Sequence, residues 1–164
     1  MIVDSHVYCF PAPDTRAGHP TVAAHLEFWQ RQQALHHQPT FRVRDRAPGD
    51  SRVLLDPTPE DPLRVAHNRN FRVDRVCNRF VWTVDGEDYT KQQLPPNVIE
   101  FSPGAVIAEM DHAGVDWGHV HVDATLSEEP AYLASCVAQF PHRLRSMAPI
   151  DEWLCMMTCS SGSS

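Results

Sequence analysis

Between residues 102 and 150 the chain alternates between two periodicities, and this alternation narrows the possible folds more than any other feature. Ser102 offers a side-chain acceptor for a helix start, and Pro103 suits the first helical position, where a missing N–H is harmless. Val106, Ile107, Met110 and Ala113 recur at helical spacing, and Gly114 supplies the left-handed stop. Residues 115–122 then read as a strand. Ser127 caps a second helix, with Glu128 and Glu129 favourable in its first turn. Leu133, Cys136, Val137 and Phe140 give that helix its buried face, Pro141 closes it, and residues 144–150 form a further strand. Strands joined through helices by short connections predict a parallel sheet, because a hairpin cannot join parallel neighbours.

The N-terminus supplies a strand of the same kind. Residues 1–10 are apolar and β-rich, and Pro11 stops them. Ile2, Val3, Val7, Cys9 and Phe10 fall on both faces, as expected of a buried parallel strand. Alternation puts Asp4, His6 and Tyr8 on one face, so that three groups able to hold a metal or a proton point the same way.

A polar loop over residues 12–19 leads to a helix expected over residues 21–37, with Pro20 near its start and Pro39 beyond its end. Leu26, Trp29, Gln33 and His37 share one stripe, widened by Phe28 and Leu35. His36 and His37 are adjacent and diverge on a helix, which assigns them capping or surface roles. Residues 40–101 differ in character. Prolines at 48, 57, 59, 62, 95 and 96 chop the segment into short pieces. Residues 41–44 and 52–55 are expected as short strands. Residues 79–84, the pair Asp85-Gly86 and residues 87–92 predict a hairpin, since both central turn positions need positive φ. The segment exceeds an ordinary loop and reads as an inserted cap of small strands.

Asp4-Ser5-His6-Val7-Tyr8 resembles the opening strand of the amidohydrolase-related metal-dependent hydrolases, the group that includes the aminocarboxymuconate semialdehyde decarboxylase type. Residues 108–116, 132–144 and 149–153 are similar, in order, to that family's later helix, turn and strand junctions. The family's strand reads Asp-x-His-x-His, and its two histidines bind a catalytic divalent metal. His6 matches the first ligand, and Tyr8 stands where the second would be; a phenol is a poor zinc ligand beside imidazole. The resemblance implies an α/β fold, the N-terminal portion of a (β/α)8 TIM-like barrel over residues 1–153. The insertion over about residues 40–101 would form a substrate pocket, and residues 154–164 would be a flexible tail. It implies a hydrolase or non-oxidative decarboxylase acting on a small carboxylated or cyclic substrate through a divalent metal, zinc in the intact family, whereas no tight stoichiometric zinc is expected in this chain. Two further histidines and an aspartate of the family lie on later strands. With three barrel strands against the usual eight, a truncated chain without turnover is expected. The alternative is a non-catalytic α/β fragment that binds metal or a partner protein.

Further residues are candidates for the site. His119, His121 and Asp123 share a face on the expected strand and could form a second metal cluster. Packing is the favoured role for His119, whereas Asp123 is the most site-like, because active sites gather at the C-terminal ends of such strands. Arg69, Trp82 and Tyr89 of the insertion could touch an aromatic or carboxylate substrate, and core or hairpin-surface roles stand equally beside that reading. A formal charge of −7 and the absence of a dense basic cluster argue against nucleic acid. No apolar run reaches the length of a membrane span. Without a basic, apolar leader, a cytoplasmic location is expected. Five cysteines at 9, 77, 136, 155 and 159 read as reduced thiols. An open parallel edge would favour a homo-oligomer.

Overall fold

The computed structural model describes residues 1–91, 100–121 and 130–147. In chain order the elements are β1 (Val3–Val7), α1 (Val22–Leu35), β2 (Thr40–Arg42), β3 (Arg72–Asp74), β4 (Arg79–Val84), β5 (Glu87–Lys91), α2 (Pro103–Ala113), β6 (Trp117–Val120), α3 (Pro130–Gln139) and β7 (Leu144–Ser146). The architecture is mixed α/β, with one parallel and one antiparallel sheet among the described residues.

The parallel sheet has the order β1-β6-β7. Val3 registers with Trp117 and Asp4 with Gly118, and after an irregularity Val7 registers with Val120. Gly118 registers with Leu144 and Val120 with Ser146. The expected parallel strands and both helices are therefore present where residues are described. Ser102 Oγ accepts the Ala105 N–H at 3.2 Å, and Gly114 ends α2 in the left-handed region at φ 71°. Gly118 sits under α2 because a Cβ there would lie 3.1 Å from Met110 Sδ and 3.2 Å from Val7 Cγ2. Val106 and Met110 of α2, Leu133 and Cys136 of α3, and Val120 and Leu144 of the sheet close one core with Cys9.

β1 departs from expectation. It is an edge strand of the described sheet, and Ile2 and Val3 stay 58% and 46% exposed. Apolar residues on both faces fit a buried strand, yet only one flank and one face of this strand find cover. Asp116 holds its start, accepting the Ile2 N–H at 2.6 Å. The irregularity at its middle lets Asp4 Oδ1 accept the His6 N–H at 2.9 Å.

The segment between β1 and α2 is a cap built from α1 and an antiparallel sheet of order β2-β5-β4-β3. Thr21 caps α1 through Ala24 N at 3.0 Å. The expected hairpin is present as β4 and β5, with Asp85 at φ 52° and Gly86 at φ 80° making its turn. The buried face of α1 is more polar than its apolar stripe suggests: His25, Trp29, Gln30, Gln33 and Ala34 are inside, while Leu35 is exposed. Gln30 is drawn in because its Nε2 donates to the carbonyls of Leu54 at 2.8 Å and Ala66 at 3.1 Å. His25 Nδ1 faces the Thr15 carbonyl at 2.8 Å, and its Nε2 accepts the Trp29 indole N–H at 2.9 Å, which assigns a neutral ring protonated at Nδ1.

Two local expectations need correction. Residues 52–55 do not form a strand; Arg52–Leu54 is a single 3-10 turn. Ser51 Oγ donates to the Ala34 carbonyl there at 3.2 Å, and Leu54 plugs the cap core, so the segment packs on a helix end and pairs only through an isolated antiparallel bridge of Leu55 with Val65. His36 is the C-cap of α1 and His37 is exposed, the roles expected for them, but the two rings do not diverge: they stack at 4.5 Å, because α1 ends at Leu35 and His36 already has extended ψ of 140°. The strand at residues 72–74 was not legible, being three residues with a charge at each end.

Phe10 and Phe101 exchange backbone hydrogen bonds of 3.1 and 2.9 Å where the two regions meet. Arg75 of the cap grips Asp14 through both carboxylate oxygens and reaches Glu100 at 3.3 Å. That guanidinium holds the Asp14 carboxyl below the usual carboxylate range.

Candidate ligand site at the end of the parallel strands

His6, Tyr8 and His121 meet at the C-terminal end of β1 and just past the end of β6. The His6 and His121 rings stack at 4.3 Å with planes 17° apart, and Tyr8 stands edge-on to both, at 5.0 and 5.5 Å. Tyr8 Oη and His6 Nε2 are 2.6 Å apart. If the phenol donates, the neutral His6 ring carries its proton on Nδ1. The His121 N–H donates to the Val7 carbonyl at 2.7 Å, which locks the two strand ends together. The trio lies where parallel α/β sheets gather ligands, and a hydrogen-bonded phenol and imidazole can hold or pass a proton.

Asp4 parts company with this trio. It registers with Gly118 ahead of the strand irregularity, and it joins His6 and Tyr8 only as a lining residue of one cavity beside β1. His119 sits beside Trp117, ring centroids 6.2 Å apart, with Arg145 over the other end of that indole at 5.8 Å. Asp123 lies outside the described residues.

The insertion residues are placed elsewhere. Trp82 has no exposed surface and packs with Ala34 and Leu54 in the cap core. Tyr89 is half-buried against the same cluster and lies over Gly49, where a Cβ would come within 2.6 Å of its ring. Arg69 Nε donates to the Val53 carbonyl at 2.9 Å. All three therefore lie in the cap, away from the ring trio.

The described residues do not fit a catalytic zinc. No group of three His, Cys, Asp or Glu among them is arranged to hold a metal. His6 Nε2 already faces a phenol, and the near-parallel His6 and His121 rings aim their in-plane nitrogens side by side rather than at one point.

Sequence reasoning missed Glu109, Phe10 and Phe101, which together with His6 and Tyr8 line a cavity of about 390 Å³ between β1 and α2. Nothing flagged Glu109, because an acidic residue on an amphipathic helix reads as a solvated face. Below the cavity, the Cys9 thiol is pushed up by its contact with Cys136 and by burial, so it stays protonated and inert.

No family model, no curated protein and no solved structure matches this chain. No helix among the described residues is long and apolar enough to cross a membrane.

Proposed function

We propose that the parallel layer corresponds to the opening strands of an amidohydrolase-like (β/α)8 barrel. In this reading its ring trio binds a small cyclic molecule without metal-dependent turnover by this chain. The observation that carries the reading is the convergence of His6, Tyr8 and His121 at the C-terminal ends of neighbouring parallel strands, beside a ligand-sized cavity. His6 stands where the family's first ligand stands, and Tyr8 gives that imidazole a hydrogen-bond partner in place of a second ligand. The chain's own groups then orient a ligand ring by stacking and exchange a proton with it at Tyr8 Oη or at an imidazole nitrogen. The hydrolase or decarboxylase activity of the resembled family requires an open-sided metal held by about three protein ligands, which the described residues do not assemble.

Metal content after dialysis against zinc, followed by calorimetric titration, tests this reading. The expected result is no stoichiometric zinc in the unaltered chain and a gain of affinity in Tyr8→His, which restores the His-x-His spacing. One zinc per chain that disappears in His6→Ala would overturn the non-catalytic reading and restore the metal-dependent one.

A further inference from the structure

The cavity beside the ring trio has a chemistry of its own. It runs along the outer edge of β1 and is walled on the far side by α2. Val7, Phe101, Val106 and Met110 are among its apolar lining. Two carboxylates, Asp4 and Glu109, line it, and no lysine or arginine does. Asp4 uses one oxygen on the His6 N–H, and Glu109 makes no ion pair among the described residues.

A ligand entering this space gains from burying carbon against carbon, at roughly 25 cal/mol per Å² of apolar surface. Its charge decides the rest. An anion would meet two like charges with no lysine or arginine among the described lining residues to offset them. A cation meets both carboxylates, with the aromatic residues Tyr8 and Phe10 in the same lining.

We infer that this cavity selects a small cyclic amine: an ammonium held between Asp4 and Glu109, with a single ring or branched body seated on Phe101, Val106 and Met110. The inference rests on the preceding reading that this end of the sheet is a ligand site. It narrows the expected substrate class, leaving the cyclic members and setting aside the carboxylated ones.

Calorimetric titration of the full chain with benzylamine, benzyl alcohol and benzoate at neutral pH and low salt tests it, since the three probes share a ring and differ in charge. The amine is expected to bind at least about tenfold more tightly than the alcohol, and benzoate most weakly. In Glu109→Gln the amine should lose most of that advantage while the alcohol binds as before. Glu109 is exposed on α2, so this variant keeps the core intact. Failure of all three probes to bind overturns the inference, as does an amine preference that Glu109→Gln leaves untouched. Tighter binding of benzoate overturns it too, but would support a carboxylated substrate in the resembled family. The zinc titration of Tyr8→His reads the family assignment independently of all these outcomes.

Discussion

The cap and the parallel layer use similar material and reach different degrees of closure. In the cap, α1 lies across one face of the antiparallel sheet, and Trp82 and Leu54 lose all exposure between them. In the parallel layer, α2 and α3 are packed on one face, and no other described element covers the opposite one. The other face and the outer edge leave Val3 46% and Met147 60% exposed, and there the ring trio stands. The difference follows from connectivity. β4 and β5 are joined by a two-residue turn, so the hairpin gathers its own neighbours at small entropic cost. β1 finds its partner β6 only after more than a hundred residues, and a parallel strand needs cover that its own connection does not supply. A region that completes its own core contributes stability, whereas one with an open face is free to bind.

The largest expected effect tests whether the cap holds itself together. Trp82→Ala should cost about 3–5 kcal/mol, the usual range for emptying a large aromatic site. Amide exchange should then rise in β4 and β5 while β6 keeps its protection. Equal loss in both regions would mean that they open as one unit. The Trp82 indole N–H finds no partner among the described residues, so Trp82→Phe should be far milder.

Next in size is a pH effect confined to the cap. Lys91 is 2% exposed, and its amine donates to the carbonyls of Gln33 and His36 at the end of α1. Burial, helped by the charge of Arg52 and opposed by Asp50, lowers its pKa from 10.5 to about 8. Between these values the unfolded chain holds a proton that the native cap has released, so stability rises with pH across that window. Below about pH 8 both states are charged, and the native state bears the full cost of burying the charge. The rise should be on the order of 3 kcal/mol in all, and denaturation midpoints of Lys91→Met should be flat over the same window.

The smallest effect concerns the covered face of the parallel layer. Gly118→Ala would press a methyl to within 3.1 Å of Met110 Sδ and 3.2 Å of Val7. The methionine end can shift, so the expected loss is on the order of 1 kcal/mol by thermal or denaturant unfolding. A neutral result would show that α2 stands further from the sheet than the packing here implies.

Much of the fold is legible in local signals. Ser102 and Gly114 mark the ends of α2, Asp85-Gly86 marks the hairpin, and the β–α alternation after residue 102 requires parallel pairing. These signals work because caps and turns are satisfied within a few residues of chain. The candidate site is only half legible. His6 and Tyr8 stand out from spacing on one strand, and His121 from its own His-x-His. That His121 leaves His119 and stacks on His6 depends on which strands pair and in what register. Trp82 and Tyr89 have the composition of ligand contacts, yet they pack inside the cap, because an aromatic ring serves a core and a pocket equally well.

Residue order alone determined that a parallel layer and an antiparallel hairpin coexist in this chain, since side-chain period, caps and turn residues act over one or two turns of backbone. Only the tertiary structure decided that β1 sits at an edge, that Gln30 and Lys91 are buried to satisfy distant carbonyls, and that His6, Tyr8 and His121 share one place. Those outcomes depend on which distant groups compete for the same cover and the same hydrogen bonds. No local pattern encodes that competition, because its cost and its gain fall on residues far apart in the chain.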